Sequence, residues 1–509
     1  MISSLRSSWL FATCAALIAA TTVCHAQQAA TAPVEKAASA STLSLASIFS
    51  NHMVLQRDMK LPIWGKAAPG AKITVQLAGK TLEATADADG KWRLSVGPLK
   101  ASKDPLELNV TAGDQSVHLT DILVGDVWVA SGQSNMEWWV DRSDNPEKEL
   151  AAAKWPEIRI IDVPNVAADE PAKSFETAGW KPVTPETIPQ FSAVAYFFGR
   201  ELHEHLDIPI GLIGCNWGGT PMEAWTSRDA LESSPTFKDE TAASFSPPST
   251  TQVAEDRKAK APHLPARLSN GMLSAVIPYG IRGAIWYQGE SNAGRHQHYA
   301  ELSKLMITDW RNRWDQGEFP FLLVQLAAYE PGGDTWPPLR EAQQETLQLS
   351  NTGMAVAIDV GHRTDIHPKD KQTVGKRLAL AARAIAHGEK IVHSGPIYRE
   401  MKAADAKATL SFDSLGGGLK AEGDLRGFEI AGADGKFVPA KAAIEGEHVV
   451  VSSEALADPK TVRYNWAAFP DGNLYNAEGL PAVPFRTSKQ EAPPEPAKPA
   501  VATASGGTK

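Results

Sequence analysis

Four short polar stretches in this chain carry side chains that can do chemistry together. They are Gly132-Gln133-Ser134-Asn135-Met136, Trp217-Gly218-Gly219-Thr220, Gln288-Gly289-Glu290-Ser291-Asn292 and Asp365-Ile366-His367-Pro368. A Gly-x-Ser tripeptide alone says little, because most such serines cap helices or close turns. The four together supply a hydroxyl nucleophile at Ser134, backbone N–H donors at glycines and side-chain amide donors. They also supply an imidazole base at His367 beside an aspartate. That is the division of labour acyl transfer needs.

The elements that must position these groups follow from the apolar pattern. Ile122 to Ala130 is an apolar run that breaks abruptly at the Ser134 stretch, as a buried strand ending in a cleft would. Ile208–Gly214 and Gly283–Tyr287 read the same way and end in the second and third polar stretches. Further strands are expected at 321–326 and 354–358, and helices at 191–206, 299–314, 339–349 and 371–386, the last closed by Gly388. Strands with polar or glycine-rich tips alternating with helices predict an α/β fold with a doubly wound parallel sheet. In such a sheet, ligands bind at the carboxyl ends of the strands. His203 and His205 flank the apolar stripe of helix 191–206 and read as solvated rather than as metal ligands. Cys215 reads as a small core residue.

The rest of the chain reads as support. Residues 43–120 show short alternating runs separated by turn signals, predicting an N-terminal β-sandwich, and 391–487 return to β texture. The catalytic unit is expected over 121–390, with 228–268 as an inserted loop or lid because it lacks clear periodicity. Arg6, an apolar run from Trp9 to Ala20 and small residues up to Ala26 predict a cleaved signal peptide over 1–26, hence a secreted or periplasmic protein. A linker over 27–42 and a disordered tail over 488–509 complete the division.

Composition excludes some classes. With 50 basic against 59 acidic residues among 509, the net charge of −9 argues against a nucleic-acid partner. No stretch after the leader approaches a membrane span. Only Cys215 follows the leader, so no internal disulfide and no cysteine-based zinc site are expected.

The four stretches, together with Gly125-Asp126-Val127-Trp128, Glu223-Ala224-Trp225 and Gly375-Lys376-Arg377-Leu378, resemble the sialate O-acetylesterase family of SGNH hydrolases. The resemblance runs from about Leu45 to Arg486. It implies a carbohydrate O-acetylesterase with no metal or organic cofactor. Carried over by position, it implies Ser134 as nucleophile and His367 as base. The oxyanion would rest on the N–H groups of Ser134 and of Gly218 or Gly219, and on a side-chain amide. Gln288 is the preferred amide and Asn292 the second. The position three before His367, where the general SGNH pattern has aspartate, is Thr364. Asp365, Asp359 or a backbone carbonyl is therefore left to orient His367, with Asp365 favoured.

The implied substrate is an O-acetylated sugar, either sialic acid or a plant polymer such as xyloglucan or xylan. A sialate carboxylate would call for an arginine, with Arg295 and Arg340 placed to serve. A neutral polymer would call for exposed aromatics, with Trp138, Trp139, Trp225 and Trp336 near the motifs. Glu290 reads as a buttress of its loop or a substrate contact. The alternative class is a non-catalytic glycan-binding protein with a degenerate hydrolase unit.

Overall fold

The computed structural model describes residues 42–488 of the chain. The expected signal peptide, nearly all of the linker and the tail beyond Ser488 lie outside the described residues.

One strand organises the molecule. β1 (Gln115–Gly132) runs for 18 residues. Its first half pairs antiparallel with Ser102–Ala112, and its second half lies in a different environment, buried at every position from Leu123 to Gly132. The change falls at Asp121, which takes a positive φ of 53° and is held by Arg159 at 2.7 Å and His52 at 2.6 Å. The boundary expected at residue 120 is thus a kink within a continuous strand. The texture shifts there because the strand leaves a half-exposed antiparallel sheet and enters a parallel one covered on both faces.

The parallel sheet is built from β1, β2 (Trp155–Asp162), β3 (Lys181–Val183), β4 (Ile210–Asn216), β5 (Gly283–Tyr287), β6 (Phe321–Gln325) and β7 (Thr352–Val356). Their order is β3-β2-β4-β1-β5-β6-β7, all parallel except the antiparallel edge strand β3. The expected doubly wound α/β sheet is therefore present, flanked by antiparallel β-regions. β2 and β3 were not among the expected strands: Trp155-Pro-Glu-Ile-Arg-Ile-Ile-Asp162 has too little apolar length to stand out. The chain builds outward from β1 to one side, returns through β4, and then crosses to β5 on the other side. The tips of β4, β1 and β5 are consequently neighbours at the point where winding reverses, the usual place for a ligand crevice.

Helix Ala193–Leu206 begins at Ser192, whose hydroxyl accepts the Ala195 N–H. Helix Lys371–His387 begins at Asp370, whose carboxylate accepts the Thr373 N–H, and ends at Gly388 with φ +70°. His203, expected to be solvated, is instead 8% exposed and bonded to the Ile208 carbonyl at 2.8 Å. Residues 228–268 are not an irregular loop. They hold three short α-helices, Arg228–Ser233, Lys238–Phe245 and Thr251–Ala259, and the 3-10 turn Ala261–His263. Ser227 and Thr250 cap two of the helices, and Thr251–Ala259 buries none of its residues. A helix that buries no face leaves no 3.6-residue stripe to read.

A single apolar cluster joins the N-terminal β-region to the parallel sheet. The C-terminal β-region has its own, around Leu410, Phe412, Phe428, Val449, Val451, Val462 and Phe485. Several ties link that region to the catalytic unit. Arg486 pairs with Glu341 at 2.7 Å, and Arg340 donates to the Ala467 and Ala468 carbonyls.

Candidate active site

Ser134 stands where β1 turns into a four-residue helix, Ser134–Glu137. Gly132 permits the turn: it has φ +135°, and a Cβ there would sit 2.2 Å from the Tyr287 carbonyl oxygen on β5. Only glycine tolerates both. Gln133 then donates its N–H to the Tyr287 carbonyl and accepts those of Met136 and Glu137. Ser134 is left half-buried, and its own N–H has no acceptor among the described residues.

The base comes from the opposite side of the crevice. His367 lies between β7 and helix Lys371–His387, and its Nε2 is 2.8 Å from Ser134 Oγ, within hydrogen-bond reach. The imidazole stacks on Trp138 at 5.0 Å between ring centres and 17° between planes. Burial first, and then the Lys371 ammonium, hold its pKa below the usual 6.5 against the opposing pull of Asp365. The ring is therefore neutral, as a base must be, at neutral pH.

The carboxylate is loosely placed. Asp365 Oδ1 accepts the His367 backbone N–H at 2.9 Å but lies 3.6 Å from Nδ1, beyond hydrogen-bond reach. Asp359 is engaged elsewhere, paired with Arg377 at 2.6 Å. Of the sequence candidates, then, only Asp365 neighbours the imidazole, and it holds the loop rather than the ring.

The donors differ from expectation more than the base does. Gly218 donates its N–H to Glu137 Oε2 at 2.7 Å, so that donor is already engaged. Gly219, with φ +75°, is exposed and its N–H has no acceptor among the described residues. A Cβ at Gly219 would lie 3.8 Å from His263 Nε2, so the 228–268 insertion reaches the edge of the site. Gln288, the expected amide donor, is fully buried. Its Nε2 serves Asn292 Oδ1 at 2.7 Å and the Thr220 carbonyl, and its Oε1 accepts from Tyr299. Asn292 is likewise engaged, accepting the Met222 N–H and donating to Glu223. Both amides brace the loop after β4. The open donors are the backbone N–H groups of Ser134 and Gly219.

Three expected sugar contacts also move. Arg340 is completely enclosed and donates to the carbonyls of Leu326, Ala327, Ala467 and Ala468. Trp225 is buried, its indole N–H on Thr220 Oγ1 and its ring edge-on to Trp286. Trp336 is buried as well, bonded to the Ala327 carbonyl. Arg295 is part-exposed but paired with Glu223 at 3.1 Å and Glu240 at 3.6 Å. Glu290 is half-buried, accepts from Asn135 at 2.6 Å, and has its pKa raised by desolvation.

The aromatics left half-buried by the site are Trp138, Trp139 and Trp217. The adjoining cavity, about 430 Å³, is lined by Asp144, Asp365, Asp370, His362, His367 and Lys369 among others. A larger cavity of about 720 Å³, beside Trp64, Trp92 and Phe175, holds no nucleophile–base pair, so size does not locate the chemistry here.

Sequence reasoning missed Glu137 and the partners of Asn135. Glu137 lies three residues after Ser134, one helical turn on, which was a usable signal. The link from Asn135 to Lys371 spans 236 positions and left none.

A serine hydroxyl bonded to an imidazole at the switch point of a doubly wound sheet, with open backbone donors beside it, is an arrangement that can carry out acyl transfer. Comparison with known proteins gives the family. Residues 124–384 match the family described as carbohydrate esterase, sialic acid-specific acetylesterase, and the chain belongs to it. It is 32% identical to human sialate O-acetylesterase over 492 residues, covering 86% of this chain and 91% of that one. The mouse sialate O-acetylesterase is 31% identical over 508 residues, with 86% and 93% covered. The crystal structure of a carbohydrate acetylesterase from Xanthomonas citri superposes with a TM-score of 0.81 at 38% identity, covering 88% of this chain and 100% of the other. The chain is a carbohydrate O-acetylesterase, a carboxylic ester hydrolase. No helix of the described residues is long and apolar enough to cross a membrane.

Proposed function

We propose that this esterase works through Ser134 and His367, and that its substrates are neutral O-acetylated sugars rather than O-acetylated sialic acid. The contact of 2.8 Å between Ser134 Oγ and His367 Nε2 carries the catalytic reading. His367 takes the hydroxyl proton as Oγ attacks the acetyl carbonyl carbon. The resulting oxyanion is received by the N–H groups of Ser134 and Gly219, and one such donor is worth about 10²–10³ in rate. The intermediate collapses, and His367 returns the proton to the departing sugar oxygen. His367 then deprotonates water, which attacks the acetyl-serine, releasing acetate and restoring the Ser134 hydroxyl.

The charges around the site support the substrate reading. Neither arginine that a sialate carboxylate would need is available, since Arg340 is enclosed and Arg295 is paired with two glutamates. The Glu137 carboxylate stands beside Ser134, and Asp144, Asp365 and Asp370 line the cavity against Lys369. A second carboxylate about 6 Å from Glu137 would be disfavoured by roughly 1–3 kcal/mol at this half-buried position. Half-buried Trp217 offers a ring to uncharged sugars, and Trp138 and Trp139, stacked on His367 and under Arg142, offer what those contacts leave uncovered. Export, expected from residues 1–26, belongs to the same proposal. Acetate release from acetylated xyloglucan, acetylated xylan and O-acetylated sialic acid, with wild type and Ser134→Ala, tests it. Preference for the sialic acid would reject the substrate reading.

A further inference from the structure

Asn135, the residue after the nucleophile, is 1% exposed and its carboxamide is saturated. Its Oδ1 accepts from Lys371 Nζ at 2.5 Å. Its Nδ2 donates to Glu290 Oε1 at 2.6 Å and to the Ile366 carbonyl at 3.0 Å. These partners come from three separate segments: the first residue of helix Lys371–His387, the tip after β5, and the residue immediately before His367. One side chain thus ties the nucleophile's turn to the base's loop.

The tie matters because His367 lacks the usual restraint. With Asp365 3.6 Å from Nδ1, no carboxylate grips the imidazole. What fixes the ring is the backbone on either side of it and the face of Trp138. Asn135 holds that backbone at Ile366. Lys371, fully enclosed, makes no ion pair within 4.0 Å among the described residues, and its ammonium lies 5.7 Å from the centre of the Trp138 ring and 5.4 Å from that of Tyr287. A buried ammonium is costly to keep, and burial pulls the Lys371 pKa down to about 7. The Glu290, Asp365 and Asp370 carboxylates, the hydrogen bond to Asn135 and the two ring faces partly offset that cost.

We propose that Asn135, locked by Lys371 and Glu290, is a positioning residue that sets the His367 loop against Ser134. This rests on the reading of Ser134 and His367 as nucleophile and base. Asparagine suits the position because it offers an acceptor to the lysine and two donors to Glu290 and Ile366. Aspartate would lose both donations and face Glu290 with a like group.

The test compares Asn135→Asp, Lys371→Met and Glu290→Gln in the full chain, reading kcat, KM, pH profile and thermal unfolding with p-nitrophenyl acetate. Asn135→Asp is expected to lose about 10²-fold in kcat with KM nearly unchanged, the size of effect a slight misplacement of reacting groups produces. Lys371→Met is expected to lower kcat. It should also move the acid limb of the profile to higher pH, because the ammonium that depresses the His367 pKa is gone. Glu290→Gln keeps an oxygen for Asn135 but removes the carboxylate that most supports the Lys371 ammonium, and is expected to lower kcat by less than Asn135→Asp does. A folded Asn135→Asp with wild-type kcat, or with its loss confined to KM, overturns the proposal. If Asn135→Asp does not fold, Lys371→Met decides, and an unchanged kcat and acid limb overturn it. Ser134→Ala, run alongside, separates the cases: an active Ser134→Ala rejects the nucleophile reading itself, whatever the other variants do.

Discussion

The Glu137 carboxylate accepts the Gly218 N–H at 2.7 Å, which places a carboxylate one helical turn from Ser134 and against the loop after β4. The contact does two things at once. It orders that loop, and on the proposed substrate reading it disfavours a second carboxylate.

Glu137→Gln keeps an oxygen for the Gly218 N–H but removes the charge. The ratio of kcat/KM for O-acetylated sialic acid to that for a neutral acetylated sugar should rise by about tenfold, the equivalent of roughly 1.4 kcal/mol. Measuring both substrates on one preparation checks this. An unchanged ratio would mean that Glu137 does not discriminate.

Asp365→Asn should cost less than about tenfold in kcat, because Asp365 does not reach Nδ1. Removing the orienting carboxylate of a tight triad costs about 10⁴. A loss of that size would show that Asp365 closes onto the ring when substrate binds.

The acid limb of kcat/KM should inflect below pH 6.5. The base must be neutral to act, and burial together with Lys371 holds the His367 pKa below its ordinary value, so activity persists to lower pH than a solvent-exposed histidine would allow. A pH-rate profile with an inflection above 6.5 would contradict this.

Arg340→Met should leave KM unchanged and lower stability by more than about 2 kcal/mol, since four carbonyls lose a charged donor. Denaturant unfolding and steady-state kinetics on the same variant check both halves. A raised KM with unchanged stability would restore Arg340 as a substrate contact.

Elements with a strong one-dimensional signal were legible in the sequence. The apolar run that ends at Ser134, the helix from Lys371 to Gly388, and the loop histidine before it are all local patterns. They were enough to place Ser134 and His367 at one end of one sheet. What the sequence left hidden is the direction of long polar side chains. Gln288 turns inward to Asn292 and Tyr299, and Arg340 turns inward to four carbonyls, because tertiary packing supplies partners as far as 128 positions away or across a loop. The 228–268 helices were missed because they bury little, and β2 because its apolar stretch is short. The bend at Asp121 read as a boundary since burial changes there while the strand continues.

The most direct test of the central claim is acetate release from an acetylated xyloglucan oligosaccharide by wild type, Ser134→Ala, His367→Ala and the double variant. If Ser134 and His367 act as one unit, each single variant loses about 10⁴ or more in kcat, and the double variant loses no more than either single one. A Ser134→Ala enzyme within about tenfold of wild type, or a double variant whose loss is the product of the two single losses, would contradict it.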